Sequence, residues 1–186
     1  MNEHEAISQA RQGDQRAFAW LVRQYQHMVY TAVHRILRDR EGSEEAAQDT
    51  FVKAYQNLGT YQGGSKFSTW LFSIAYRTAI SQLRKRREAT GSVDDLGVHE
   101  PAAVEVSRVE QGDRAAALER ALAELPAEDA AVVSFYYLEE MSVEEIVTAT
   151  GLGASNVKVK LHRSRKRLMD ILQRELKEET WTLIVD

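Results

Sequence analysis

Apolar side chains recur every three or four positions along most of this 186-residue chain, and only two prolines, Pro101 and Pro126, interrupt it. A 3.6-residue period without strict alternation restricts such a chain to helices, and no stretch reads as a convincing strand. The expected fold class is all-α. A short first helix should stop at Gly13-Asp14, where Asp14 can cap a long helix whose apolar stripe runs through Phe18, Leu21, Val22, Tyr25, Val29, Ala32, Val33, Ile36 and Leu37. A third helix is expected from about Ser43 to Leu58. A fourth should start near Ser68 and run through Trp70, Leu71, Ile74, Ala75, Thr78, Ile80 and Leu83 to the basic end Arg84-Lys85-Arg86-Arg87, which suits a helix C-terminus.

Between about Ala89 and Asp113 the composition changes. This stretch holds Gly91, Gly97, Pro101 and Gly112, no aromatic residue, and six acids (Asp94, Asp95, Glu100, Glu105, Glu110 and Asp113) against one base, Arg108. It reads as a flexible acidic linker that does not pack, and fully extended it would reach up to about 80 Å. With 44% hydrophobic residues the chain can still bury real cores on either side. The expected organisation is therefore two small helical domains, 1–88 and 114–175, joined by the linker 89–113 and followed by a tail, 176–186. The tail Glu179 to Asp186 is apolar for a terminus, and it is a candidate for packing on a domain or binding a regulator. Past the linker, Arg114 to Leu125 is amphipathic, Pro126 fits the first turn of the next helix, and Val132, Val133 and Tyr136 form that helix's apolar side.

The C-terminal domain carries a helix-turn-helix pattern. Ser142 and Glu145 make a capping box at the start of a short helix, and Gly151 stands where a left-handed C-cap belongs. In the second helix Val157, Leu161, Ser164 and Leu168 form one stripe, while Ser155, Asn156, Val159, His162 and Lys166 share another side. The stretch Lys158 to Arg167 holds six of the chain's 24 Lys and Arg and no acid, although the whole chain has a net charge of -4. A cation block inside an acidic chain marks a localised polyanion site. In this motif the second helix enters the major groove, where Asn can pair with adenine and an apolar group such as Val159 can meet a thymine methyl. Lys158, Lys160, Arg163, Arg165 and Arg167 suit the flanking phosphates. A solvated basic helix end is the bland alternative.

Enzymatic chemistry has little support. There is no glycine-rich phosphate loop, no His-Glu-x-x-His and no nucleophile elbow, and the five histidines (His4, His27, His34, His99 and His162) are scattered. Neither a cofactor nor a metal is expected, and the chain is not expected to be an enzyme. The absence of cysteine excludes disulfides and thiolate metal sites, the segment Met1 to Glu5 is acidic with no apolar signal core behind it, and no run approaches 18 apolar residues. A reducing cytoplasm is the expected compartment.

Two sets of residues carry a family resemblance. Glu44-Glu45-Ala46-Ala47-Gln48-Asp49-Thr50-Phe51-Val52-Lys53-Ala54-Tyr55 and Phe67-Ser68-Thr69-Trp70-Leu71-Phe72-Ser73-Ile74-Ala75 closely resemble the second conserved region of bacterial extracytoplasmic-function sigma factors, of the sigma-70 family. Leu125-Pro126, Met141 to Ile146 and Asn156 to Leu168 resemble the fourth region, so that the likeness runs from roughly Gly13 to Leu172 in the expected order.

The resemblance implies an initiation factor that binds core RNA polymerase, recognises the duplex -35 element through its C-terminal domain and opens the -10 element through its N-terminal domain. It places Glu45, Gln48, Asp49, Val52 and Gln56, the outer side of the third helix, on the polymerase. It places Ser155, Asn156, Lys158, Val159, Lys160, His162, Arg163 and Lys166 on -35 DNA. The loop Thr60 to Lys66 would hold a flipped base of the single-stranded -10 element, with Tyr61 stacking, Gln62 making a polar contact and Lys66, Arg77 and Arg84 supplying cations. Trp70 and Phe72, aromatic at helical spacing, read first as packing. Three positions depart from the family pattern: Arg77 stands where Asn is usual, Glu45 replaces Asp, and Asn156 replaces a common Thr. The acidic linker would thread toward the polymerase active centre and RNA exit path, and an anti-sigma factor becomes a candidate partner. The competing reading is a stand-alone helix-turn-helix regulator with a helical sensory or dimerisation domain, which would bind palindromic duplex DNA as a dimer.

Overall fold

A computed structural model describes residues 1–90 and 111–182, with side-chain surroundings for 1–89 and 115–174. Most of the linker therefore lies outside the described residues. Eight α-helices and one 3₁₀ turn at Leu58–Thr60 make up the described elements, none of which is a strand: α1 (Glu3–Arg11), α2 (Gln15–Leu37), α3 (Arg40–Asn57), α4 (Phe67–Thr90), α5 (Gln111–Ala123), α6 (Ala127–Tyr137), α7 (Val143–Thr150) and α8 (Ala154–Thr182). Among the described residues no helix is long and apolar enough to cross a membrane.

Local signals set most boundaries. Gly13 turns the chain at φ +95°, and the Asp14 carboxylate then accepts hydrogen bonds from the N–H groups of Arg16 (2.8 Å) and Ala17 (3.4 Å) to cap α2. The start of α3 differs from expectation. It begins at Arg40, with Asp39 as its cap, and Ser43 is a buried interior residue. The junction is tight because Arg38 adopts the left-handed conformation (φ 58°) that glycine usually supplies, so no glycine marks where α2 ends.

In the C-terminal lobe the helix-turn-helix forms as its punctuation indicates. Ser142 and Glu145 complete the capping box, and Gly151 closes α7 at φ 76°. On α8, Val157, Leu161, Ser164 and Leu168 are all buried. Pro126 is the N-cap residue of α6 instead of lying in its first turn. The boundary expected after residue 175 falls within α8, whose backbone continues as helix to Thr182.

The two lobes, α1–α4 and α5–α8, do not stand apart. Their buried side chains form one continuous cluster, joined where α6 packs on α2 and α7 on α4. Phe135 of α6 lies 4.9 Å, centroid to centroid, from Phe72 of α4 and 6.3 Å from Tyr76. This explains a second difference from expectation. Tyr136 is exposed while the whole run Ala130 to Phe135 is buried, because α6 is covered by α8 on one side and by the N-terminal lobe on the other. A helix buried all round has no single apolar face to read. Burial at this seam, with the Glu128 and Asp129 carboxylates adding to it, pushes the Tyr76 hydroxyl up to about 12.

Polar contacts fix the register of the lobes. Arg35 pairs with Glu119 at 2.6 Å, and the Arg38 guanidinium donates to the carbonyls of Leu122 (3.4 Å), in the last turn of α5, and Leu125, just past it.

Within the N-terminal lobe Asp39 has two duties: it caps Gly42 N–H at 2.7 Å and pairs with Arg86 near the end of α4. Partial burial raises its carboxyl, but the Arg86 and Gly42 hydrogen bonds outweigh this and hold it below the usual range. Asp39→Ala should therefore lower stability by about 1–2 kcal/mol at neutral pH. Asp39→Asn, which keeps a capping oxygen, should lose less. Because the folded carboxyl is held low, its contribution is complete above the unfolded value of about 4 and is lost as pH falls through the folded value. Urea midpoints of wild type and Asp39→Asn should thus differ at pH 7, and the gap should narrow progressively as pH falls below about 4; a constant gap would remove the charge from the explanation.

Candidate nucleic-acid and polymerase interfaces

The first three turns of α8 separate their side chains by chemistry. Ser155, Asn156, Lys158, Val159, His162, Arg163 and Lys166 are exposed, with the apolar Val159 46% accessible among polar and cationic neighbours. Lys160 does not join them. Its ammonium turns to α6 and pairs with Asp129 at 2.6 Å and Glu128 at 3.3 Å. Burial lowers its proton affinity, but the two carboxylates more than reverse this. Arg165 leans over the Tyr137 ring at 5.8 Å and donates to its hydroxyl at 2.8 Å.

In the N-terminal lobe Tyr61 closes the base of the loop leading into α4. Its hydroxyl donates to the Ser65 carbonyl at 2.7 Å, and its ring meets Phe67 edge-on at 5.4 Å and Trp70 at 5.5 Å. Gly63, at φ 76°, makes the turn that leaves Gln62 exposed. Burial, with the Glu3 carboxylate of α1 adding to it, raises the Tyr61 hydroxyl above its usual range. Trp70, Arg77 and Arg84 recur every seven residues and so share one side of α4, partly buried at Trp70 and exposed at both arginines. Phe72 points the other way, into the seam between the lobes.

On α3, Glu45, Gln48, Asp49, Val52 and Gln56 are all exposed, opposite the buried Ala46, Thr50 and Ala54. Gln82 of α4 donates to Glu45 at 2.9 Å and steadies that edge. Val52 is 54% accessible, and Tyr55, whose ring edge meets Phe18 at 4.8 Å, is 41% accessible. Tyr55 was not among the expected surface residues, although its three-residue spacing from Val52 is the signal that joins the two in one apolar spot. Among the described residues no group of three or more His, Cys, Asp or Glu could hold a metal ion.

Three surfaces on one helical scaffold, two around α4 and α3 and one on the second helix of a helix-turn-helix, are the setting for comparison with known proteins. The family model for Sigma-70 region 2 matches residues 21–89, and that for Sigma-70, region 4 matches residues 115–168. The ECF RNA polymerase sigma factor SigW of Bacillus subtilis is 30% identical over 87% of this chain and 92% of its own length. RNA polymerase sigma-H factor of Pseudomonas aeruginosa is 29% identical over 95% of this chain and 96% of its own. Among solved structures, RpoE from Bartonella quintana in complex with the anti-sigma factor NepR superposes with a TM-score of 0.67, at 20% identity, over 84% of this chain and 96% of that one. CnrH in complex with the cytosolic domain of CnrY gives 0.64, at 24% identity, over 92% and 97%. A sensory domain gives no reason for the region 2 match, and with both regions present in order the chain belongs to the extracytoplasmic-function sigma factors of the sigma-70 family, promoter-specific initiation factors of RNA polymerase.

Proposed function

We propose that the exposed start of α8 reads the duplex -35 element, that the loop Thr60 to Lys66 and the Trp70–Arg77–Arg84 side of α4 hold single-stranded -10 DNA, and that the outer side of α3 docks on core polymerase. The observation that carries this reading is the sorting on α8. A buried stripe fixes the helix, while Asn156 and Val159 face out between Lys158, Arg163 and Lys166. An amide and an apolar group suit base edges, and the cations suit the phosphates on either side. Lys160 supports the helix by its bonds to α6 and is left out of the DNA surface.

At the other element, Tyr61 offers a ring anchored by its hydroxyl and backed by Phe67 and Trp70, a prearranged platform for an unstacked base. Arg77 adds a phosphate contact beside it or alters -10 preference. Residues 1–88 and 114–175 serve as the two DNA-binding units, and the acidic segment 89–113 connects them, its charge keeping it off promoter DNA. The chain itself performs no bond chemistry; the polymerase supplies it, in the cytoplasm. An anti-sigma protein is a further partner, by analogy with the NepR complex of RpoE.

Replacing Lys158 and Arg163 with Ala should weaken promoter binding by the holoenzyme and lower its log-log salt slope by roughly 0.9 per lost phosphate contact. Lys160→Ala should leave the slope unchanged and instead lower folding stability by about 1–2 kcal/mol, between an exposed pair and a buried one. Equal slopes for all three variants would remove Lys158 and Arg163 from the backbone contacts. Tyr61→Ala should preserve closed complex while reducing open complex, followed by permanganate reactivity of unpaired thymines. Equal loss of both would assign Tyr61 to packing.

A further inference from the structure

Glu145 divides its carboxylate between two lobes. One oxygen, Oε2, accepts the Ser142 N–H at 2.9 Å within the α7 capping box. The other, Oε1, accepts from the Thr69 hydroxyl of α4 at 3.2 Å and lies 3.6 Å from the Lys66 ammonium. The Ser142 N–H above all, with Lys66 and Thr69 adding to it against a small burial penalty, holds this carboxyl below the usual range, so it is an anion at neutral pH. An anionic oxygen shared between an ammonium and a hydroxyl is the arrangement a DNA phosphate oxygen would make with the same two groups.

The contact is held in place by the larger seam. Phe72 and Phe135 pack beside it, and Arg35 and Arg38 reach α5 and its carbonyls. Yet the ion pair itself is open to displacement, since the Lys66 side chain is 71% exposed. The other surfaces are left uncovered: the α3 residues and the exposed start of α8 remain accessible in this same arrangement.

We infer that Glu145 is a built-in carboxylate competitor for a -10 strand phosphate at Lys66 and Thr69, keeping that end of the -10 site engaged with the helix-turn-helix lobe until single-stranded DNA displaces it. This rests on the assignment of Lys66 to -10 DNA. In this state the chain can meet polymerase through α3 and the -35 duplex through α8, and the -10 contact forms last.

The test uses the full-length chain and a fluorescein-labelled single-stranded 15-nucleotide DNA of mixed sequence, read by anisotropy at low salt. Glu145→Gln keeps the capping box, where Gln serves as well as Glu, and removes the anion. It should bind the oligonucleotide about two- to five-fold tighter than wild type. Lys66→Ala should bind more weakly, and in its background Glu145→Gln should add no more than Glu144→Gln does. Glu144→Gln, an exposed neighbour, controls for net charge and should give a smaller gain that persists with Lys66→Ala. In parallel, a zero-length carbodiimide should join Lys66 to Glu145 in the free protein, the cross-linked peptide diminishing as oligonucleotide is added. If Lys66→Ala weakens binding but Glu145→Gln does not strengthen it beyond Glu144→Gln, the competitor role is overturned and the -10 assignment stands. If Lys66→Ala has no effect, the -10 assignment fails and the inference with it.

Discussion

The seating of Phe135 against Phe72 and Tyr76 is the contact on which the rest of the arrangement depends. It buries two large rings to 1% and 2% accessibility and joins α4 of one lobe to α6 of the other. Burying a side chain of this size is worth about 1.5–3 kcal/mol relative to leaving it in water. The charged contacts around it act differently. Arg35 with Glu119, and Arg38 with the α5 carbonyls, contribute orientation more than net stability, because desolvation offsets much of their attraction. Apolar burial brings the lobes together, and the arginines select the register.

That register decides which surfaces face solvent. With α7 on α4 and α6 on α2, the outer side of α3 and the start of α8 stay open, while the loop before α4 touches α7 at one end. One sequence thus leaves the outer side of α3 and the start of α8 open to solvent and engages the loop before α4 at one end. The charge distribution follows the same division: the acids of α6 neutralise the inward Lys160, and the remaining cations of the first turns of α8 point outward.

Features set by short-range chemistry were legible in the chain. Ser142, Glu145 and Gly151 announce the α7 caps because each acts on backbone groups within four residues, and Val157, Leu161, Ser164 and Leu168 announce the inner side of α8 through a single period. What was not legible depends on distant partners. Arg38 ends α2 in a left-handed conformation that its residue type does not signal. Tyr136, expected on the apolar side of α6, is exposed while Phe135 is buried, because a second lobe covers that helix. Lys160 reads as one more outward cation of α8, yet Asp129, 31 residues away, holds it, and Thr69 and Glu145 meet across 76 residues. Periodicity reports which side of a helix is apolar, but not what lies against it.

Initiation at a defined start site by these two lobes together is most directly tested by reconstituted transcription, with core polymerase, this protein, and genomic templates carrying spaced -35 and -10 elements. The expected result is a runoff transcript that requires the protein, the polymerase and both elements, and that is lost when either element is scrambled. Absence of any specific transcript with folded, inhibitor-free protein, together with protection of palindromic duplex by the protein alone, would contradict it.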